Sequence, residues 1–288
     1  MNIPNEINQV LTSDECALEY FLLMHKNKSN SFIAHIKRNT RTIHTNDELR
    51  SWTLRHRGKV ISIKTLIDDD ERVDNFNLYI KCLNGTKGLP EITHYMRVKE
   101  FGDYLIIEYN FIEGVVLEEK MTESSSKTEN LTTLAGVCDI VQVMHSKEIG
   151  HFDIKPLNII TNGETFLIDI DTIGRINAVP RITYGSTGYT ASEILIEQDR
   201  SEKTDAFSLG AIAYEIITGR RIDVIMGVTD KELLYAKGII DKKVPTLSEI
   251  AQCSVSLSKI VMCTLAPIKE DRPTIEEIKK CFLEESLS

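Results

Sequence analysis

The segment HFDIKPLNIITNGETFLIDIDTIG, residues 151–174, concentrates polar side chains in a loop that lies between an amphipathic segment and an apolar run. Asp153, Lys155 and Asn158 lie in the loop, and the apolar run ends at Asp169. A carboxylate can accept the proton of an attacking hydroxyl, and a lysine can offset the charge of a moving phosphoryl group. An amide and a second carboxylate can hold the metal ions that bridge phosphates. The segment therefore contains the residue types that phosphoryl transfer requires.

The overall composition limits what the chain can bind. It has 288 residues, a hydrophobic fraction of 42% and a formal net charge of −9. The apolar fraction is enough for a sizeable core, and the acidic balance argues against nucleic acid or an anionic membrane as the main partner. No apolar run approaches the roughly 18 residues of a membrane span, and no secretory signal is visible at the start.

The cysteines indicate a reducing compartment. No two of the six form a CxxC pair, which favours free thiols over a metal site or a disulfide framework. We therefore expect a soluble cytoplasmic protein. The cysteines are Cys16, Cys82, Cys138, Cys253, Cys263 and Cys281.

The periodicity of apolar residues changes along the chain. Helical spacing over residues 5–26 is followed by short runs rich in β-branched and aromatic residues and by one inserted helix, and helices dominate after residue 113. This pattern predicts an α+β fold with a small five-stranded lobe and a larger, mainly helical lobe that share a cleft. The predicted strands are 31–38, 48–55, 59–66, 95–102 and 103–110, and the predicted helices are 68–83, 131–150, 207–219, 257–266 and 274–285.

HFDIKPLN resembles the catalytic loop of the protein kinase family, and DID at 169–171 resembles its DFG motif. The resemblance implies that Asp153 is the catalytic base and that Lys155 contacts the γ-phosphate. It also implies that Asn158 and Asp169 ligate Mg²⁺. Asp171 is an alternative for the second ligand, but Asp169 leaves Phe166–Ile168 as the strand and Ile170 in the phenylalanine position.

Three downstream motifs separate protein kinases from small-molecule kinases with a related loop. YGSTGYTASE (184–193) resembles the peptide-binding segment, with Ser192 in place of proline. DAFSLGAIAYEIITG (205–219) resembles the helix whose aspartate supports the catalytic loop, and DRPT (271–274) supplies an arginine. The implied substrate-binding residues are Gly185, Ser186, Thr187 and Tyr189, and the implied structural residues are Glu193, Asp205 and Arg272, with Arg272 paired to Glu193.

The nucleotide site is assigned by spacing and resemblance. YLIIEYNFIEG (104–114) resembles the hinge, with Ile107 as gatekeeper. Lys64 lies 43 residues before Ile107, which fits an intervening helix and strand, whereas Lys37 lies 70 residues before it. The implied ATP-binding residues are Lys64, Leu49, Ser62, Ile107, Glu108, Tyr109 and Asn110. The implied domains are an N-terminal helical extension (1–30), the small lobe (31–107), the hinge (108–113) and the large lobe (114–288).

The small lobe departs from the family pattern at two places. Residues 39–47, where a glycine-rich loop is expected, contain no glycine, so polar side chains there either contact the phosphates or form an ordinary hairpin loop. The helix position that usually carries a glutamate for Lys64 is Tyr79, and Glu71 and Asp74 lie one or two turns earlier.

These features predict a divergent serine/threonine protein kinase that uses ATP and Mg²⁺, with Mn²⁺ as an alternative ion, and acts on protein substrates. Lys155 together with Thr187 is the serine/threonine pattern, and Thr187 is a candidate for direct contact with the catalytic loop. Phe152 replaces the usual arginine, so we expect activity that does not depend on activation-loop phosphorylation. A nucleotide-binding pseudokinase scaffold and a small-molecule kinase of the same fold are the alternatives. His151 is expected to be a structural hydrogen-bonding residue.

Overall fold

The computed structural model describes residues 41–46, 51–56, 59–66, 71–98, 104–122, 126–179, 185–229 and 232–287. They fall into two compact units. The first contains the described residues from Arg41 to Leu66 together with Ile92–Phe111. The second contains the described residues between 71 and 91 and those from Ile112 onward. The predicted N-terminal helix and the first predicted strand lie outside the described residues.

The first unit is an antiparallel sheet, and it lies where the sequence predicts a small β-rich lobe. Among the described residues it has five strands in the order β1-β2-β3-β5-β4. The continuous apolar run of β5 suits a strand between two neighbours, and Leu105, Ile106 and Ile107 are buried. The strands are β1 (Arg41–Asn46), β2 (Ser51–His56), β3 (Lys59–Thr65), β4 (Ile92–Val98) and β5 (Tyr104–Asn110).

One strand lies where the sequence predicted a phosphate-facing or hairpin loop. Residues 41–46 form β1 and pair antiparallel with β2, with Thr42 opposite Leu54 and Asn46 opposite Ser51. Three of these six residues are β-branched, which favours extended backbone, and the absence of glycine removes the usual reason for a loop. The loop prediction for residues 39–47 was therefore wrong over 41–46. Leu49 lies outside the described residues.

The second unit is mainly helical, with two small sheets of order β6-β8-β9 and β10-β7. Short 3₁₀ turns at Pro156–Asn158, Ile170–Thr172 and Lys269–Asp271 connect its elements. Its elements are α1 (Arg72–Cys82), β6 (Val115–Val116), α2 (Leu117–Thr122), α3 (Lys127–His145), β7 (Ile149–Gly150), β8 (Ile159–Thr161), β9 (Thr165–Leu167), β10 (Gly174–Arg175), α4 (Ser192–Glu197), α5 (Glu202–Thr218), α6 (Ile222–Met226), α7 (Glu232–Ile240), α8 (Leu247–Ile250), α9 (Val255–Thr264) and α10 (Ile275–Ser286).

The core of the second unit is built around α3, α5 and α10. The helix α5 is apolar on nearly every face and is buried over most of its length, as its composition predicts. The helix α10 places Ile275, Ile278 and Phe282 on one buried face that packs along α3. Thr274 caps α10, since its hydroxyl accepts from the amide of Glu277 while the Glu277 carboxylate accepts from the amide of Thr274.

The helix α1 lies in the second unit, although the sequence analysis assigned it to the small lobe. One of its polar contacts reaches a distant part of this unit, and a second stays within the segment that carries α1. The Asn75 side chain donates to the carbonyl of Asp171 at 3.5 Å. The hydroxyl of Tyr79 donates to the carbonyl of Pro90. In the part of the chain that the structure describes, no helix has the length and apolar character needed to cross a bilayer.

Candidate active site

The loop that follows β7 is fixed from below by the buried carboxylate of Asp205 at the start of α5. Its Oδ1 accepts a hydrogen bond from the amide of Phe152 at 2.8 Å, and its Oδ2 accepts one from the amide of His151 at 3.0 Å. His145 Nε2, at the end of α3, lies 2.8 Å from the same Oδ2. Burial alone raises the pKa of Asp205, but the hydrogen bonds from His145 and His151 hold the pKa below its ordinary value. The loop backbone thus rests on a carboxylate that stays ionised.

The backbone at Phe152 has a conformation that non-glycine residues rarely adopt. Its φ is 65°, and its ring is buried beside Gly150. A Cβ at Gly150 would lie 2.3 Å from the Phe152 ring, so a larger residue there would displace the ring. This left-handed residue lies immediately before Asp153. A strained backbone of this kind persists only where the surrounding contacts hold it in place.

Asp153 lies at the centre of a compact polar network. Its Oδ2 accepts from Lys155 Nζ at 2.6 Å, and its Oδ1 accepts from the Ser186 hydroxyl at 2.9 Å. Lys155 Nζ also donates to the Ser186 oxygen at 2.9 Å. Asn158 Nδ2 donates to the Asp153 carbonyl at 2.9 Å. The structure therefore brings together the carboxylate, the lysine and the amide that the sequence selected.

His151 has a structural role, in line with its predicted function. Its Nδ1 accepts a hydrogen bond from the amide of Asp153 at 3.3 Å, and its Nε2 lies 3.1 Å from the carbonyl of Ile168. These two partners require the proton on Nε2, because a carbonyl oxygen only accepts. The ring thus links the backbone of the loop to the residue before Asp169.

Asn158 and Asp169 have the donor chemistry of a magnesium site. The carbonyl of Asn158 accepts from the amide of Ile168 at 2.8 Å, so the two ligand-bearing segments are adjacent. With Nδ2 engaged by Asp153, Oδ1 is the atom of the Asn158 amide that can coordinate a cation. Asp169 is exposed and has a left-handed backbone, with φ 61° and ψ 69°. An amide oxygen and an exposed carboxylate fit Mg²⁺.

Acidic, histidine and cysteine side chains are not densely clustered in the described residues. No group of three or more His, Cys, Asp and Glu side chains in those residues could hold a metal ion. Proteins usually bind Mg²⁺ through one or two carboxylates together with waters and substrate phosphates.

The predicted substrate segment packs against α5. The carbonyl of Tyr189 accepts from the Ser208 hydroxyl at 2.9 Å, and the Tyr189 hydroxyl donates to Glu215 Oε2 at 2.6 Å. Burial raises the pKa of Glu215, and the hydrogen bond from Tyr189 offsets part of that rise. Gly185 lies against Thr190, since a Cβ there would be 2.6 Å from the Thr190 side chain. The contact with the catalytic loop for which Thr187 was a candidate is made by its neighbour Ser186.

Glu193 and Arg272 form a buried, two-pronged ion pair below the substrate segment. Arg272 NH1 donates to Glu193 Oε1 at 2.5 Å, and NH2 donates to Oε2 at 2.8 Å. The guanidinium also donates to the carbonyls of Ala266 and Lys203 and lies 5.0 Å from the Phe207 ring. A planar fork with this many fixed acceptors is specific to arginine.

The proposed nucleotide residues of the first unit lie in two neighbouring strands. Ser62 of β3 is buried opposite Ile107 of β5, and Lys64 is half-buried opposite Leu105. Glu108, Tyr109 and Asn110 lie within β5, with Asn110 opposite Lys59. The Asn110 side chain accepts from Lys59 Nζ at 2.5 Å, and Thr93 donates to the Glu108 carboxylate at 2.7 Å.

Tyr79 does not offer a substitute for the missing glutamate. Its side chain is fully buried, its hydroxyl donates to the carbonyl of Pro90, and burial raises the pKa of that hydroxyl. Glu71, one of the two rival positions, forms an ion pair with Arg200 at 3.1 Å. Glu71 and Tyr79 are therefore both engaged by other residues of the second unit.

Sequence reasoning missed several residues that shape this site. Glu215 could have been noticed, because it is a lone charged residue in the apolar run of α5 and such groups need a partner. His145 and Arg200 carry no local signal, since their partners Asp205 and Glu71 are 60 and 129 positions away in the chain.

Comparison with known sequences agrees with this geometry. The sequence model described as a protein kinase domain matches residues 48–282. R436 of Acanthamoeba polyphaga mimivirus, which is named as a serine/threonine-protein kinase, is 27% identical over 213 residues, covering 67% of this chain and 75% of that protein. Myosin light chain kinase 2 (skeletal/cardiac muscle) of Rattus norvegicus is 28% identical over 194 residues, covering 64% of this chain and 31% of that protein.

A bacterial relative is also named as a serine/threonine-protein kinase. PknA2 of Bifidobacterium longum, which is named as a serine/threonine-protein kinase, is 26% identical over 197 residues, covering 64% of this chain and 25% of that protein. The chain thus spans three quarters of the viral relative, 75%, but 31% and 25% of the rat and bacterial relatives.

Proposed function

Because the chain belongs to the protein kinase family, we propose that it transfers the γ-phosphoryl group of ATP to serine or threonine hydroxyls of protein substrates. One observation carries this proposal. The carboxylate of Asp153 is held by Lys155, Asn158 and Ser186 in a loop that Asp205 anchors. A scaffold that only binds nucleotide has no need of this complete set.

The reaction follows from the positions of these side chains. The oxygen of the substrate hydroxyl forms a bond to the γ-phosphorus while the bond to the bridging oxygen of ADP breaks, and the hydroxyl proton passes to the carboxylate of Asp153. Lys155 holds Asp153 in place at 2.6 Å and offsets the negative charge of the moving phosphoryl group. The products are ADP and the phosphorylated hydroxyl, with the proton on Asp153.

Asn158 and Asp169 would hold Mg²⁺, which neutralises phosphate charge when it is bound. The left-handed backbone at Asp169 presents its carboxylate as an exposed group. On the first unit, we propose Lys64 and the strand from Ile107 to Asn110 as nucleotide contacts, Lys64 for the phosphates and the strand for adenine. Mn²⁺ has similar oxygen-ligand preferences and is the alternative ion.

Lys155 and its contacts favour serine and threonine as the acceptor residues. Lys155 lies two residues after Asp153, and both contact a hydroxyl of the substrate segment, that of Ser186. The names of two relatives, R436 and PknA2, also refer to serine/threonine kinases.

We further propose that activity is independent of activation-loop phosphorylation. The residue before Asp153 is Phe152, which is buried and has no charge with which to bind a phosphate. Treatment with a phosphatase, followed by mass spectrometry to verify removal, should leave the transfer rate unchanged. Thr183→Ala should behave in the same way. A large loss of rate that reverses on rephosphorylation would contradict the proposal.

A non-catalytic scaffold is the second candidate, and one observation favours it. Tyr79 occupies the position of the usual glutamate, and its hydroxyl is committed to Pro90. A helix without the usual glutamate at this position favours weaker binding of the ATP phosphates and slow transfer. A small-molecule kinase is a third possibility that the same assay can address.

The decisive experiment measures label transfer from [γ-³²P]ATP and Mg²⁺ to a generic basic protein. Asp153→Ala and Asp169→Ala should reduce transfer by at least about a thousandfold. Asp241→Ala, at an exposed surface aspartate, is the matched control and should retain the wild-type rate. No transfer above the Asp153 variant with ATP still bound would favour the scaffold. Transfer to small hydroxylated compounds but never to protein would favour the third candidate.

We also propose that the chain works in the cytoplasm. The described cysteines Cys82, Cys138, Cys253, Cys263 and Cys281 are free thiols, which suits a reducing compartment. The net charge of −9 makes nucleic acid an unfavourable partner. Cell fractionation with immunodetection would test the location.

A further inference from the structure

Arg200 is a buried cation in the segment that connects α4 to α5. Its side chain is 4% exposed, and its carbonyl accepts from the amide of Asn177 at 2.8 Å. The guanidinium lies 5.1 Å from the centre of the Phe152 ring and 3.1 Å from the carboxylate of Glu71. It also lies against Gly174, where an added Cβ would be 3.1 Å from NH1. One side chain therefore touches three segments that are distant in sequence.

Each of these three segments is part of the proposed catalytic machinery or borders it. Phe152 precedes Asp153 in the catalytic loop. Gly174 opens β10, five residues after Asp169. Glu71 immediately precedes the first turn of α1, the helix whose Asn75 donates to the carbonyl of Asp171 at 3.5 Å. Arg200 is thus the side chain through which the catalytic loop and the start of α1 are joined.

Burying the charged guanidinium of Arg200 costs free energy that a side chain used only for packing would not require. Among the described atoms, Nε has no hydrogen-bond partner, although the group is buried. Burial lowers the pKa of the guanidinium, and the Glu71 carboxylate offsets part of that effect. An aliphatic side chain could fill such a space without this penalty. The aromatic face of Phe152 attracts the cation. The Phe152 ring is apolar, however, and would pack equally well against an aliphatic side chain.

We infer that Arg200 is a positioning residue for phosphoryl transfer: through Phe152 it holds the left-handed backbone that aims Asp153, and through Glu71 it fixes the first turn of α1. This inference rests on the proposed kinase function. The cation comes from the chain itself and its counter-ion is the Glu71 carboxylate, so the connection is made without an added phosphate group. Arg200 contacts neither substrate nor nucleotide in this role.

The test compares Arg200→Met, Arg200→Lys and Glu71→Gln with the wild-type chain. Arg200→Met should lower kcat by about tenfold or more while the KM for ATP changes by less than about threefold, because the nucleotide contacts are untouched. Arg200→Lys should recover part of the rate, since it restores the charge without the planar fork. Arg175→Met, at an exposed arginine of β10, is the matched control and should retain kcat.

A second measurement does not require activity. Hydrogen–deuterium exchange of Arg200→Met should increase over residues 151–158 and 71–82, while the amides of α10 stay protected. If Arg200→Met does not fold, the same comparison is made with Glu71→Gln and Arg200→Lys.

The outcomes separate this inference from the proposed function. If the wild-type chain transfers no phosphate, the proposed function fails, and the exchange data alone decide the inference. Unchanged exchange over both segments would overturn it. In an active wild-type chain, an unchanged kcat in Arg200→Met would also overturn it, and so would a loss of kcat that is matched by a general loss of protection throughout the second unit.

Discussion

The hydroxyl of Ser186 donates to Oδ1 of Asp153 at 2.9 Å while it accepts from Lys155 at the same distance. The two partners of this hydroxyl are the base and the cation of the proposed reaction. Ser186 belongs to the segment that would receive the substrate peptide, so one oxygen atom links substrate binding to the catalytic pair.

Removal of this hydroxyl should slow catalysis. Ser186→Ala deletes a hydrogen bond to a charged group, which contributes about 1.5–3 kcal/mol, and kcat should fall roughly 10- to 100-fold. Ser186→Thr retains the oxygen and should keep most of the rate. Steady-state kinetics with a basic protein substrate would measure both, with Ser286→Ala as the control at an exposed hydroxyl. Equal kcat values for the alanine and threonine variants would contradict this role.

The buried pair of Arg272 and Glu193 should dominate the stability of the second unit. Arg272→Met leaves an unpaired buried carboxylate and should lower the free energy of unfolding by about 3–5 kcal/mol. The double variant Arg272→Met, Glu193→Leu should lose less than the sum of the two single variants, because it leaves no buried charge.

Urea unfolding followed by circular dichroism would measure these differences. The control is Lys280→Met, which breaks an exposed pair with Glu284 at 3.9 Å and should change stability by less than about 0.5 kcal/mol. A loss for Arg272→Met no larger than that of the control would rule out a structural role for the pair.

The carboxylate of Asp205 should make stability depend on pH. Its pKa is lowered in the folded chain, so its stabilising effect is complete above its unfolded pKa, about 3.9, and is lost as the pH falls through the folded value. The difference in unfolding free energy between wild type and Asp205→Asn should therefore be constant from pH 7 to about pH 5 and shrink below pH 4. Urea unfolding at a series of pH values measures this difference. A difference that grows at acid pH would contradict the assignment.

Tyr79 allows a test of whether the missing family glutamate can be restored. Tyr79→Phe removes one buried hydrogen bond and should cost about 1–2 kcal/mol of stability. Tyr79→Glu should be more destabilising, because it places a carboxylate in a site that is fully buried. Neither variant should tighten ATP binding, which isothermal titration would measure. A gain in ATP affinity with Tyr79→Glu would contradict this expectation.

Contacts between residues that are close in sequence could be predicted, whereas contacts between distant residues could not be predicted from the pattern alone. Asp153, Lys155 and Asn158 lie within six residues of one another, so their order alone indicated that they act together. The strands β2 to β5 and the buried helix α5 were likewise visible in the apolar pattern. The pair of Glu193 and Arg272 was predictable only through resemblance, because 79 positions separate them.

Other contacts depend on tertiary geometry that a pattern cannot express. Ser186 and Thr187 are adjacent hydroxyl residues, and only the turn that follows Ser186 decides which of them meets Asp153. The strand β1 was missed because its polar, β-branched residues read as a loop until its pairing with β2 is known. Arg200 is an ordinary surface-type residue by composition, and its burial results from the meeting of three remote segments.

The separation of Glu193 from Arg272 in sequence also determines when their ion pair can form during synthesis of the chain. The ribosome adds about 5–20 residues per second, so Glu193 is synthesised about 4 to 16 seconds before its partner, 79 positions later. Throughout that interval the carboxylate has no guanidinium, and burying it alone would be unfavourable. The segment around α4 should therefore remain open to water and to chaperones until Arg272 emerges.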